Sequence, residues 1–420
     1  MIFFRMRHLN FNIFDSKRNL VLLVVFLLMF PKGGIKIHDI PLTWGYFLLG
    51  LFSIGALLRK TIIVHQERLH VIFALIPFLI IGALTMAING VESLGMAVSF
   101  WISFLFLPFM FFCLFSKDIE TFNEQLFFHL FVKGIFFIAI YGIALFVIKQ
   151  VTGHFLEIPL LTMNLGDLGQ LETKHINRGF VFKLISTYNN GNLYGICLLM
   201  LLPLFCFLEK TRWRHWIVKM SLLLTFSRTV WIGLFFHELC YQWFINKNKK
   251  TFFLTLIVSL ILIIGALAAL SAFYGFDWRF FTDTNLGGRR GQLDAIFDTG
   301  FFSPEPFNGF SEIVYAGMIF TFGWAGLVAF LFAMGAPLVY QIISRHLPDS
   351  HKCIALGLIN YLFISSSDGA ILLLPTMAFY WFLLSLLMRK SIVITQFDLP
   401  SKKRGNTPLK SLYVSKEMPR

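Results

Sequence analysis

The chain has 420 residues, 57% of them hydrophobic and 14% charged, with a net charge of +14 and a mean hydropathy of +0.73. A water-soluble domain of that length needs far more polar surface, so the composition excludes one and requires most of the chain to face lipid or other apolar helices. The positive balance could also serve nucleic acid, and the distribution of the charges argues against that.

The apolar residues fall into blocks separated by short charged clusters. Each helix that crosses a bilayer needs ~20 apolar residues and must close its own backbone hydrogen bonds. In chain order the blocks are Leu20–Ile35, Thr43–Leu58, Leu69–Ile88, Gly95–Phe115, Leu126–Ile148 and Asn190–Leu208. The second half adds Trp216–Phe226, Thr229–Ile245, Thr251–Phe276, Ile313–Ile343, Cys353–Ser365 and Ala370–Met388. No small-residue processing site follows Leu20–Phe30, so the first block reads as a helix and not as a cleaved signal. Two blocks are short, and Ile313–Ile343 exceeds one crossing. The fold expected is an all-α polytopic transmembrane bundle of about twelve helices, a single domain over residues 1–420.

With the N-terminus inside, about 25 of the 36 Lys and Arg fall in cytoplasmic loops and about 10 on the other side. Both termini are then cytoplasmic, and residues 389–420, with Lys402, Lys403 and Arg404, form a basic tail at the membrane surface. No nucleic-acid partner is expected. The five cysteines (Cys113, Cys197, Cys206, Cys240 and Cys353) lie in or at the ends of apolar blocks, without CxxC or Cys/His ligand spacing. Neither a metal nor a cofactor is expected. The 52 phenylalanines read as lipid-facing bulk and core.

Two outer loops are long, about 149–187 and 277–312, and long loops on a rigid scaffold are where sites collect. With Ser227-Arg228 they hold the outer arginines Arg178, Arg228, Arg279, Arg289 and Arg290. Any one of these alone could pair with lipid phosphate or a loop acid. Arg228 differs. It follows Arg214 by 14 residues, ~21 Å of helix against a core ~30 Å thick, so it should lie below the outer surface. An arginine there needs an anionic partner, and its planar fork suits phosphate. Glu238, ten residues on, is about 15 Å deeper in a regular helix, too far for a direct pair.

The stretch Ser186–Gly195 opens a helix, where Asn190 and Asn192 can cap free N–H groups or help form an anion site. Gly287–Gly291 would let the backbone approach a phosphate beside Arg289. Glu312 closes the second loop where an apolar helix begins. It suits the helix dipole, and equally a general base for a sugar hydroxyl. Lys133 should snorkel or pair, His237-Glu238 reads as a polar spot between helices, and Asp368 reads as a cap of the last helix.

Three islands carry a resemblance: Ser186–Gly195, Leu224–Trp231, and the run from Gly288-Arg289 through Asn308–Glu312 to Gly323-Trp-Ala-Gly326. Together they resemble the O-antigen ligase and polymerase superfamily of GT-C-like membrane enzymes, which handle undecaprenyl-diphosphate-linked glycans. The resemblance implies that Arg228 and Arg289 grip the donor diphosphate, with Arg290, Arg178 and Lys183 as supporting cations. Lys183 stands where the family's first outer arginine usually lies. Ligases of the family place a histidine eleven residues before the first glycine of G-x-x-G, and here that residue is Glu312. The chain therefore looks more like a Wzy-type polysaccharide polymerase, with Glu312 as base, in the bacterial inner membrane. Its partners would be the lipid-linked glycan, the bilayer and a chain-length regulator. The alternatives are an O-antigen ligase and a lipid-linked oligosaccharide transporter.

Overall fold

The computed structural model describes residues 16–37, 40–58, 66–173, 177–178, 181–247, 296–310, 312–344 and 346–389, with a few positions between 250 and 265. It is 77% helical. The helices, in chain order, are α1 (Ser16–Met29), α2 (Trp44–Leu57), α3 (Gln66–Asn89), α4 (Leu94–Leu114), α5 (Ser116–Thr121) and α6 (Glu124–Thr152). They continue with α7 (Gly191–Leu208), α8 (Arg212–Leu223), α9 (Arg228–Tyr241), α10 (Val314–Ser344), α11 (Asp349–Ile364) and α12 (Leu374–Leu387). Two small antiparallel hairpins accompany them: β1 (Gly34–Ile37) with β2 (Ile40–Thr43), and β3 (Asn177–Arg178) with β4 (Val181–Phe182).

Among the described residues, five helices are long and apolar enough to cross a membrane: α3, α4, α6, α7 and α10. The remaining sequence blocks give shorter helices. The Trp216–Phe226 block becomes α8, which starts earlier, carries Arg212, Arg214, His215 and Lys219, and has 12 residues. At ~1.5 Å per residue it spans about 18 Å. The Thr251–Phe276 block lies almost wholly outside the described residues.

The hydrophobic pattern explains the packing. α7 is apolar all round, as a fully buried helix must be, and 83% of its apolar window is buried. It forms the axis on which α6, α8, α9, α11 and α12 pack. Glycines bring the backbones close, as is usual where lipid gives no hydrophobic drive between helices. A Cβ at Gly357 would lie 2.0 Å from the Met200 carbonyl, and one at Gly195 would lie 2.2 Å from Val230. A second group, α3, α4 and α10, is joined through Phe78, Phe100, Phe104, Phe322 and Phe330. On α3, Phe73, Ile80, Leu84 and Ile88 remain exposed. They form the lipid-facing side.

Two of the prolines inside helices free carbonyls that buried side chains take. Pro108 lies in α4 between two π-helical stretches, and the indole of Trp381 donates to Ser103 O at 2.7 Å. Pro203 leaves Leu199 O without its helical donor, and Asn360 Nδ2 approaches it at 3.3 Å. The extra length of α10 has its own cause. Gly323 (φ 78, ψ −177) breaks it into two segments, and Trp324 N and Ala325 N donate instead to Gly300 O and Phe301 O, at 3.4 and 3.0 Å.

At the end away from these loops, Arg68 pairs with Glu120 at 2.6 Å and Arg389 pairs with Glu124 at 2.6 Å. Arg389, grouped with the basic tail from the sequence, is 8% exposed and belongs to the helical body. At the same end the α7–α8 turn is closed by Glu209. Burial would raise its carboxyl, but donors from Thr211 and Arg214 outweigh that and hold it below the usual range.

Replacing Asn360 with Leu strands the Leu199 carbonyl and should cost about 1–3 kcal/mol of unfolding free energy in detergent. Gly357→Val should cost at least as much, because its clash is with backbone. Wild-type stability in both variants would refute these two packing arguments.

Candidate functional site

The starts of three helices are drawn together by one short turn, Ser365–Gly369, between α11 and α12. α9 begins at Arg228, preceded by Phe226 in the left-handed region (φ 47). This turn is pinned to the segment before α7: Leu184 N donates to Leu224 O at 2.9 Å, and a Cβ at Gly191 would lie 3.5 Å from Thr225 O. Arg228 is therefore close to the start of α7, and it is half-buried. Thr229 Oγ1 lies 2.8 Å from Ser367 Oγ, which fixes the first turn of α9 to the hub.

At the start of α7, Asn190 Oδ1 accepts from Asn192 N and Leu193 N, at 2.8 and 3.2 Å. Asn190 is thus an N-cap whose oxygen is engaged by its own helix. Asn192 does something different. Its Nδ2 donates to Asp368 Oδ2 at 2.6 Å, while its buried Oδ1 has no hydrogen-bond partner among the described residues. Asp368 is not the cap of the last helix that the sequence led us to expect. α12 starts at Leu374 with Leu373 in the N-cap position, and the Asp368 carboxyl, on a residue 6% exposed, turns to α7.

The start of α10 completes the convergence. Val314 N donates to Ser365 O at 3.1 Å, and Gly369 N donates to Glu312 O at 3.3 Å. Glu312 is exposed, so its main chain is fixed while its side chain faces outward. The Ser227 side chain makes no cap hydrogen bond, so the first N–H groups of α9 are not closed from that side. Three helix N-termini at one place add a positive potential to the charge of Arg228. Such a place can hold an anion, with two carboxylates (Glu312 and Asp368) on its border.

The support beneath is rigid. Ser186 Oγ donates to Ile138 O at 2.7 Å, Tyr188 OH donates to Leu28 O at 3.0 Å, and Asn189 Nδ2 donates to Thr162 O. Ser186 and Asn189 both have positive φ, 50 and 55. Lys183 is half-buried, beside Leu184 and hence near the turn before Arg228. The neighbouring Phe182 ring and Phe155 cage the buried Lys149 ammonium, at 4.8 and 4.4 Å. That cation–π cage ties the first outer loop to the end of α6. Trp44, after the first hairpin, fastens the same loop by donating its indole N–H to Leu160 O at 2.6 Å.

The structure thus gathers Asn190, Asn192, Arg228 and Glu312, with Lys183 close by in sequence to a shared hydrogen bond. For Arg178 only the backbone in β3 is described. Arg289 and Arg290, with the whole Gly287–Gly291 turn, lie outside the described residues. Glu238 is engaged by Lys219, 2.6 Å away, and by His237 at 3.2 Å. The sequence reading missed Thr229, Ser367 and the role of Asp368. The signal was present as a polar run, Ser365-Ser-Ser-Asp-Gly369, between two apolar blocks. No group of His, Cys, Asp and Glu able to hold a metal occurs among the described residues.

No protein-family model, curated protein or solved structure matches this chain.

Asn192→Leu removes the donor to a nearly buried carboxylate, and should cost about 1.5–3 kcal/mol in unfolding free energy. An unchanged free energy would show that the Asn192–Asp368 bond contributes nothing to holding the site.

Proposed function

We propose that the chain is a membrane glycosyltransferase that polymerises undecaprenyl-diphosphate-linked oligosaccharide repeat units. In this reading it has a GT-C-like fold with about twelve crossings and both termini cytoplasmic, and works at the outer face of the bacterial inner membrane. The observation that carries the reading is the meeting of three helix starts with Arg228 around the Ser365–Gly369 turn. It offers fixed positive charge for a diphosphate next to carboxylates for a hydroxyl.

The chemistry follows from what leaves and what attacks. The acceptor hydroxyl of one repeat unit attacks the anomeric carbon of the other, and the bond from that carbon to the diphosphate oxygen breaks. The hydroxyl proton passes to the Glu312 carboxylate as general base. The electron pair departs with undecaprenyl diphosphate, whose growing charge is met by Arg228 and the α9 N-terminus. Arg289, Arg290, Arg178 and Lys183 are the further cations this reading assigns to the diphosphate. Direct attack inverts the anomeric centre. The cations and helix ends supply the stabilisation, so the proposed scheme calls on no metal.

A transporter is the second reading, because broken helices mark many transport sites and α10 is broken at Gly323. The N–H groups freed there are taken by Gly300 and Phe301, which leaves them closed to a ligand. This favours an enzyme. An O-antigen ligase shares the donor chemistry and differs in its acceptor.

Arg228→Ala and Glu312→Gln, each introduced singly in producing cells, separate these readings by polysaccharide length. The polymerase reading expects long chains to fall by about 10²–10⁴-fold in initial rate, with single repeats still reaching their carrier. Loss of all transfer to the carrier would favour a ligase. Normal long chains from both variants would sink either enzyme.

A further inference from the structure

The turn between α7 and α8, at the far end of the α8–α9 hairpin from Arg228, carries more positive charge than it uses. Its one acid, Glu209, is buried, and both carboxylate oxygens are engaged. Oε1 accepts from Thr211 N at 2.8 Å and Oε2 accepts from Arg214 at 2.7 Å. His215 Nε2 lies 2.6 Å from the Glu209 carbonyl and fixes the turn from its other side. Lys210 and Arg212 are left outside this knot. Both are exposed, and neither makes an ion pair among the described residues. The acids Glu120, Glu124 and Glu238 are held by Arg68, Arg389 and Lys219. Two cations therefore stand uncompensated on either side of Thr211.

The helix that follows offers a surface for acyl chains. Trp213, Trp216, Met220 and Leu223 recur at helical spacing and are all exposed. From Trp213 to Leu223 the helix rises ~15 Å, half of a hydrocarbon core ~30 Å thick. The stripe is thus one leaflet deep. Its charged end is rigid: Trp213 meets Phe136 of α6 edge-on at 5.3 Å, and the Arg214 guanidinium lies 5.2 Å from the Phe136 ring and 5.5 Å from the Trp213 ring. Exposed indoles beside exposed cations suit the level of lipid headgroups. We infer that this turn and stripe bind an anionic phospholipid whose headgroup carries two phosphates, one for Lys210 and one for Arg212, with acyl chains along Trp216, Met220 and Leu223. A headgroup with a single phosphate leaves one cation unmatched, and an ethanolamine head adds a positive charge of its own. Cardiolipin has the required chemistry. The site is independent of the transfer proposed at Arg228.

The full-length protein in mild detergent, offered cardiolipin, phosphatidylglycerol and phosphatidylethanolamine with identical acyl chains, is read by native mass spectrometry. It should retain cardiolipin about tenfold over the ethanolamine lipid and about threefold over the glycerol lipid. Lys210→Gln combined with Arg212→Gln, confirmed as folded by its thermal unfolding, should bring the three lipids to parity. Should that variant fail to fold, Lys210→Gln alone decides, with about a threefold loss of the cardiolipin preference expected. Lys402→Gln combined with Lys403→Gln removes the same charge elsewhere and should leave the preference intact. Equal retention of the three lipids by the wild type would overturn the proposal. So would an equal loss in the two double variants, which would assign the preference to the net charge of +14 alone. Displacement of cardiolipin by equimolar inorganic pyrophosphate would also overturn it, and would give the two cations to a soluble anion.

Discussion

In a lipid environment no water stands ready to satisfy a backbone N–H or C=O, and the architecture depends on meeting that constraint wherever a helix is interrupted. Three of the breaks answer it with a named donor or acceptor from elsewhere in the chain. Trp381 takes Ser103 O, Asn360 approaches Leu199 O, and the carbonyls of Gly300 and Phe301 take the N–H groups at Gly323. These bonds connect residues far apart in sequence. They fix α4 to α12, α7 to α11, and the second outer loop to α10. The interruptions thereby become the cross-links of the bundle.

The same economy shapes the site around the Ser365–Gly369 turn. A helix start has unpaired N–H groups, and three of them sit around a turn of five residues that is itself hydrogen-bonded to each. The turn contributes little area. It contributes registration: Asn192, Thr229 and the backbone of Glu312 cannot shift relative to one another without breaking a bond to it. Beneath, the left-handed Ser186 and Asn189 and the caged Lys149 hold the first outer loop on α6 and α7. Positioning of this kind would suit the proposed glycan transfer, in which catalysis consists mainly of placing charge.

The helical membrane character was legible because it rests on composition and block length, which are local. The depth expected for Arg228 counted the whole stretch from Arg214 as helix, whereas α8 ends at Leu223 and a turn precedes Arg228. The hub was not legible, because its bonds run from residue 192 to 368 and from 229 to 367, and no periodicity reports such pairings. Asp368 shows the difference. Its neighbours in sequence make it look like a helix cap, while its neighbour in space is an asparagine on another helix. The length of the Ile313–Ile343 block was visible, but its cause, a positive φ at Gly323 filled by loop carbonyls, depends on residues 300 and 301. α8 misled in the opposite way, since its apolar half was read as part of a crossing while its charged start extends the helix back to Arg212.

Arg389 joins the last helix to Glu120 and Glu124, and Arg68 meets the same Glu120. In a chain made from its N-terminus, residues 68, 120 and 124 exist long before residue 389 does. Arg68 and Glu120 can pair early, whereas the Arg389–Glu124 pair forms only once residue 389 has been made. Contacts this distant in sequence form late and slowly. The closing of this end of the bundle therefore depends on residue 389: a nascent chain that has not reached it lacks both the ion pair to Glu124 and the bond to the Glu120 carbonyl.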